Sequence, residues 1–177
     1  MNFRYLLGRV CSVAYSVISR GRMRGNSYLI GRPSHLAVAR GCLVTIGDRV
    51  VIGPGARIVA RADLHIGDDV YIGKNVTIVA LSTVRIGDRA LIAENVSIHS
   101  EDHGPVGRRA EYTSAPVEVG EDAWLGAGVV ILKGVTVGAR TTVGANATVT
   151  RSLPSDAIAV GVPARVLGPR SQPKATS

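Results

Sequence analysis

The chain has 177 residues, 46% of them hydrophobic but only 4% aromatic, and 21 are glycine. That composition points to one domain with a terminal extension and a narrow Val/Ile/Ala core between many turns. The net charge is +8, but no aromatic-interleaved basic motif or helix-turn-helix signal accompanies it, which argues against nucleic acid as a partner. The two cysteines, Cys11 and Cys42, form no CxxC pair. They read as reduced thiols of a cytoplasmic protein, not as a disulfide framework.

Residues 1–25 are predicted to form an amphipathic basic helix. Phe3, Leu6, Leu7, Val10, Ala14, Val17 and Ile18 recur at helical spacing. The stretch is too short and too charged for a transmembrane span and lacks a signal-peptide cleavage pattern. Seven arginines, from Arg4 to Arg40, precede the first acidic residue, Asp48. Two roles fit such a helix and do not exclude each other. It caps the open end of the domain, or it lies on an anionic membrane surface through Arg20, Arg22 and Arg24. The glycines and Pro33 between residues 20 and 45 predict irregular structure leading into a worn first coil.

From Ile46 to Val149 the chain repeats. Ile46, Ile66 and Ile86 each open an Ile-Gly-Asp tripeptide at intervals of 20 residues. Ile52, Ile72 and Ile92 follow six later, and Ile58, Ile78 and Ile98 six later again. The beat resumes at Val119, Leu125, Ile131, Val137, Val143 and Val149. Small or β-branched residues sit four past most anchors, among them Val50, Ala62, Val76, Ser82 and Ala147. A period of six suits neither a helix nor a lone strand. It suits a coil with three short faces per turn, stacked so that successive coils bury one another's anchors. Three hexads need 18 residues, so the 20-residue coils carry two extra at one corner.

Residues 99–116 interrupt the beat. Nineteen residues separate Ile98 from Val117, where six separate Ile78 from Val84. The excess predicts a polar loop thrown out from one corner, and loops on a rigid scaffold are where chemistry concentrates. Two of the four histidines, His99 and His103, lie at its start. Histidine is the side chain suited to act as a base near neutral pH. Glu101 and Asp102 read either as partners of an imidazole or of a substrate, or as a solvated acidic loop. Asn75 and Asn95 occupy equivalent corners, where asparagine tolerates left-handed backbone angles.

These hexads, the run Ala115-Pro116-Val117-Glu118-Val119-Gly120-Glu121-Asp122-Ala123-Trp124-Leu125-Gly126 and the segment Gly161-Val162-Pro163-Ala164-Arg165 resemble the hexapeptide-repeat acyltransferases. The likeness covers roughly residues 40–168 and is strongest to the maltose/galactoside and polysaccharide O-acetyltransferase branch. It implies an all-β, left-handed parallel β-helix over 26–168, with a short N-terminal helix, one extruded loop and a flexible tail at 169–177. It also implies acetyl-CoA as co-substrate, a sugar or glycan hydroxyl as acceptor, no metal, and a homotrimer with sites at subunit interfaces. The protein is then expected in the cytoplasm, with peripheral contact at the inner membrane face through its N-terminus. By resemblance His103 is the general base and transfer is direct. Asn75, Asn95 and Asp102 fall in the acceptor-binding neighbourhood, although the position of the family's acceptor asparagine is Gly73 here. Ala127, Ala145, Thr150, Arg151 and Arg165 match positions that contact the donor. For the alanines the competing reading is corner packing, and for Arg165 an exposed charge.

Three other classes share features with this chain. Carbonic-anhydrase relatives of the same fold need three zinc-bound histidines, which His65, His99 and His103 do not match in spacing. A non-catalytic β-helix scaffold is separable by acetyl-CoA binding. Serine acetyltransferases carry a large helical N-terminal domain, for which the stretch before Ile46 leaves no room.

Overall fold

A computed structural model describes residues 22–24, 28–31, 34–104 and 112–170. The described chain winds into six coils of a left-handed parallel β-helix, and no described residue is helical. Each coil lays one strand in each of three parallel sheets, here S1, S2 and S3. S1 stacks Arg22–Arg24, Leu43–Ile46, Leu64–Ile66, Val84–Ile86, Val117–Val119 and Thr136–Val137. S2 begins Tyr28–Ile30, Val50–Ile52, Tyr71–Ile72, Leu91–Ile92, Trp124–Leu125 and Thr142–Val143. S3 stacks His35–Val38, Arg57–Ala60, Thr77–Ala80, Ser97–His99, Val130–Ile131 and Thr148–Val149. The helix expected over 1–25 is corrected at residues 22–24, which form a strand: Arg22–Arg24 pairs with Leu43–Thr45 as the first strand of S1. Residues 1–21 and 25 lie outside the described residues.

Every hexad anchor from Ile46 to Val149 points inward and is at most 3% exposed. Partner residues in adjacent coils are 20 apart in the early coils, as in Val44, Leu64 and Val84. They are 18 apart between Glu118 and Thr136. The two extra residues sit at the corner from S3 to S1. There Ala60 and Leu64, like Ala80 and Val84, all turn inward with no exposure. Ala62 and Ser82, four past their anchors, are half-buried, because the longer corner hands the inward place to the residue two further on.

The S1–S2 corner carries an alternating charge stack. Arg49, Asp69, Arg89, Asp122, Arg140 and Asp156 occupy successive left-handed positions, with φ between 53° and 58°. Arg89 is bidentate to Asp122 at 2.9 and 2.8 Å, and Arg140 to Asp156 at 2.6 and 2.7 Å. Hydrogen bonds from these arginines hold the Asp69, Asp122 and Asp156 carboxyls below their ordinary range.

The helix continues past Val149. Leu153 bridges Val137, Ala157–Val160 adds to S2, and Arg165–Pro169 folds back antiparallel on it. The expected tail boundary at 169 shifts accordingly. Pro169 lies in a strand, and the Arg170 N–H donates to the Asp156 carbonyl at 2.6 Å while its guanidinium donates to the Asp122 and Arg140 carbonyls. Residues 171–177 lie outside the described residues.

Candidate active site

The outer face of S3 carries one column of side chains in register: Val59, Val79 and His99, continued by Leu132 and Thr150. The inserted loop leaves from the S3–S1 corner beside this column. The partners Val84 and Val117 are 33 residues apart, thirteen more than in the coil before. The loop's base is a two-stranded antiparallel hairpin, Glu101–His103 against Tyr112–Ser114. Its tip, 105–111, lies outside the described residues.

Ser100 anchors the hairpin. It stands in the inward column of Ala60 and Ala80 and is fully buried. One coil earlier the Ala80 carbonyl accepts the N–H groups of Arg61 and Ala62. The Ser100 carbonyl instead accepts from Ala115, across the neck of the loop. Its Oγ therefore replaces the missing acceptor, taking the N–H groups of Leu81 and Ser82 at 2.8 and 2.9 Å, and it donates to the Val79 carbonyl at 3.2 Å. Buried backbone donors need such partners.

Column and hairpin enclose an open cleft of about 840 Å³. Val59, Val79, Leu81 and Leu132 supply its apolar surface, and Glu101, Asp102, His103 and Tyr112 come from the hairpin. His103 is exposed, and its ring lies 4.7 Å from that of Tyr112, its cross-strand partner. His99 is held differently. Its Nδ1 lies 3.0 Å from Glu101 Oε1, with side-chain exposures of 33% and 15%. An ionised carboxylate only accepts, so Nδ1 is the donor when Glu101 is ionised. Glu101 Oε2 is buried and has no partner among the described residues. Lys133 bonds Thr113 Oγ1 on the hairpin and lies 3.8 Å from Asp102 Oδ2.

Of the predicted residues, His103, Asp102 and Thr150 line this cleft. Asn75 and Asn95 do not. They stack at the opposite edge of S3, on the S2–S3 corner, with φ of 55° and 58° and a 3.4 Å bond between them. Four residues of strand, roughly 13 Å, separate Asn95 from His99. Within one copy their left-handed turns account for both asparagines. Gly73 shares that corner, and a Cβ there would meet Ala93 C and Glu94 N at 2.8 Å.

Ala127 and Ala145 lie one coil apart on the same S2–S3 corner, linked by the Asn146 N–H to the Ala127 carbonyl at 2.8 Å, and both are exposed. Arg165 stands next to them, opposite Val160, which touches the place of a Cβ on Gly144. Thr150 and Arg151 sit at the far edge of S3. The five predicted donor positions thus form two groups flanking one sheet. Sequence reasoning passed over Ser100, Lys133, Tyr112, Arg57 and Arg61. The alternate spacing of Arg57, Val59 and Arg61 in the sequence was the available signal for the two arginines.

Among the described residues, no three His, Cys, Asp or Glu side chains are placed to hold a metal. No described helix is long and apolar enough to cross a membrane.

Comparison with known proteins adds the following. The family described as bacterial transferase hexapeptide (six repeats) matches residues 116–151, and the hexapeptide repeat of succinyl-transferase matches 64–100. Galactoside O-acetyltransferase of Escherichia coli K12 is 38% identical over 65 residues, 37% of this chain and 32% of that protein. Its Lactococcus lactis namesake is 41% identical over 59 residues, 33% of this chain and 28% of that protein. The chain thus spans about a third of the length of the curated relatives it matches. The hexapeptide-repeat acetyltransferase of Vibrio cholerae, complexed with acetyl coenzyme A, is 26% identical with a TM-score of 0.62, covering 91% of this chain and 79% of that one. AntD of Bacillus cereus, an N-acyltransferase solved with dTDP-4-amino-4,6-dideoxyglucose and coenzyme A, is 22% identical with a TM-score of 0.77 over 91% and 90% of the two chains. This last likeness is one of fold.

Proposed function

We propose that the chain, whose residues 64–100 and 116–151 match hexapeptide-repeat family models, moves an acetyl group from acetyl-CoA to a sugar hydroxyl, on a cell-surface glycan or its precursor. The observation that carries this reading is the cleft itself: an extruded hairpin brings His103 and Asp102 over an apolar face that also holds His99 and Thr150. The relatives and the structural neighbours bearing acetyl-CoA or CoA support the donor.

In the proposed reaction His103 accepts the hydroxyl proton as the oxygen attacks the thioester carbonyl. The C–O bond forms, the C–S bond breaks, and His103 returns the proton to the departing thiolate. Backbone N–H groups of the groove stabilise the oxyanion. Exposed Ala127 and Ala145 let the pantetheine arm approach backbone closely, while Thr150, Arg151 and Arg165 meet its polar end. Asp102 contacts the acceptor from within the same copy. Asn75 and Asn95 reach it only from a neighbouring copy. A second reading of the base rests on the 3.0 Å His99–Glu101 contact, which orients His99 as no described carboxylate orients His103. Rates of His103→Ala and His99→Ala separate the two: the base variant loses about 10²–10⁴-fold.

We further propose a homotrimer with each site shared by two copies. Supporting it is an exposed apolar column on S2, formed by Tyr71, Leu91 and Trp124 at 40%, 48% and 48% exposure and aligned in register. Such a contiguous stripe is what a partner surface covers. Light scattering is expected to give the mass of three chains for the wild type and of one for Leu91→Asp; a monomeric wild type contradicts it. The arginine-rich segment before Asp48 is proposed to hold the protein at the cytoplasmic membrane face, which flotation with anionic against neutral vesicles tests.

A further inference from the structure

The arginines of this molecule fall into two populations. On the S1–S2 corner, Arg49, Arg89 and Arg140 each clamp a carboxylate of the next coil. In the cleft, Arg57 and Arg61 line the wall, both exposed, and no carboxylate pairs with either among the described residues. They stand four residues apart with outward Val59 midway: alternation along the strand Arg57–Ala60 puts Arg57 on the face of Val59, and Arg61, just past the strand's end, lines the same cleft. A third cation, Lys133, faces them from beyond His99. The surface between them is apolar, built from Val59, Val79 and Leu81.

Position along the axis says which ligand these cations meet. Val59 lies two coils before His99 in register, and Thr150 two coils after it. At about 4.8 Å per coil each step of two is roughly 10 Å. Thr150 and Arg151, proposed above to meet the donor, lie on the far side of His99 from Arg57 and Arg61. A gap of this size accommodates a sugar ring between an anionic group at the arginines and a hydroxyl at the histidines.

We propose that Arg57 and Arg61 form an anion subsite for the acceptor, which is a sugar bearing a phosphate or carboxylate group. The forked guanidinium donors suit either oxyanion. The acceptor's identity as substrate rests on the acetyl-transfer reading, but the subsite is testable without turnover. Calorimetric titration of the full-length protein compares glucose 1-phosphate, galactose 1-phosphate and glucuronate with the methyl glycosides. At least one anionic sugar is expected to bind tenfold or more tightly than its neutral counterpart, less so in high salt. In Arg57→Gln/Arg61→Gln, whose changes are exposed, that preference is expected to vanish while coenzyme A binding stays unchanged.

The proposal is overturned if no anionic sugar binds preferentially, or if the preference survives in the double variant. It is also overturned if coenzyme A binding falls in parallel, which would give the arginines to the donor's phosphates. Anionic-sugar binding without thiol release from acetyl-CoA, with any acceptor, keeps the subsite and removes acetyl transfer. Thiol release with neutral sugars alone, and no anion preference, does the reverse.

Discussion

Ser100→Ala is a clean perturbation because the same column already holds alanine at 60 and 80. Packing is preserved, so the change isolates the hydroxyl. Two backbone donors, Leu81 and Ser82, lose the acceptor they reach at 2.8 and 2.9 Å. Leaving a buried donor unpaired costs about 1–3 kcal/mol. Because Leu81 and Ser82 are only half-buried, water satisfies part of that need, and the expected loss is about 2–4 kcal/mol for the two together. For a chain of this length, 1 kcal/mol moves Tm by about 2–4 °C. The expected fall is therefore about 4–16 °C, measured by thermal unfolding at one fixed protein concentration. His99 and Glu101 flank Ser100, so kcat is expected to fall with stability, whereas an exposed control such as Ser155→Ala leaves both unchanged. A Tm within about 1 °C of wild type would refute the reasoning that this hydroxyl replaces a carbonyl.

Further predictions concern other parts of the coil. Gly73→Ala is expected to destabilise by about 1–3 kcal/mol, read by urea unfolding, because a Cβ meets backbone at 2.8 Å. Gly73→Asn, with a larger side chain at the same close approach, is expected to cost more; wild-type stability in either contradicts the stacking argument. The lowered carboxyls of Asp69, Asp122 and Asp156 bind protons more weakly folded than unfolded. Their contribution is present above the ordinary carboxylate pKa and fades as pH falls through the lower folded values. Acid unfolding of Asp156→Asn is expected to show a shallower loss in that window than wild type, and an unchanged slope would discount the stack. These pairs are exposed, so the difference at neutral pH is small.

The repeating architecture was legible because its signal is strict. An inward residue every six positions fixed the anchors, and the nineteen-residue step located the loop. The two-residue excess in the early coils was legible too, but not which corner held it, since Ala60, Ala62 and Leu64 are equally plausible inward residues by type. The site was only half readable. His103 and Asp102 belong to a local segment, and the hairpin places them together. Ser100 was invisible because its role depends on where a carbonyl points, which no side-chain pattern records. The separation of Ala127 and Ala145 from Thr150 and Arg151 follows from the coil's three faces: residues five apart in sequence stand at opposite edges of a sheet. The charge stack from Arg49 to Asp156 was present in the sequence as alternating signs at equivalent corners, and becomes evident only when the coils are laid over one another.

The most direct test of the central claim is acceptor-dependent thiol release from acetyl-CoA across neutral and anionic sugars, with wild type beside His103→Ala and His99→Ala. Acetyl transfer at this cleft predicts release that needs a sugar acceptor and drops by about 10²–10⁴-fold when the base is removed, with His103 the expected position. No acceptor-dependent release from the wild type, or undiminished release in both variants, would contradict it.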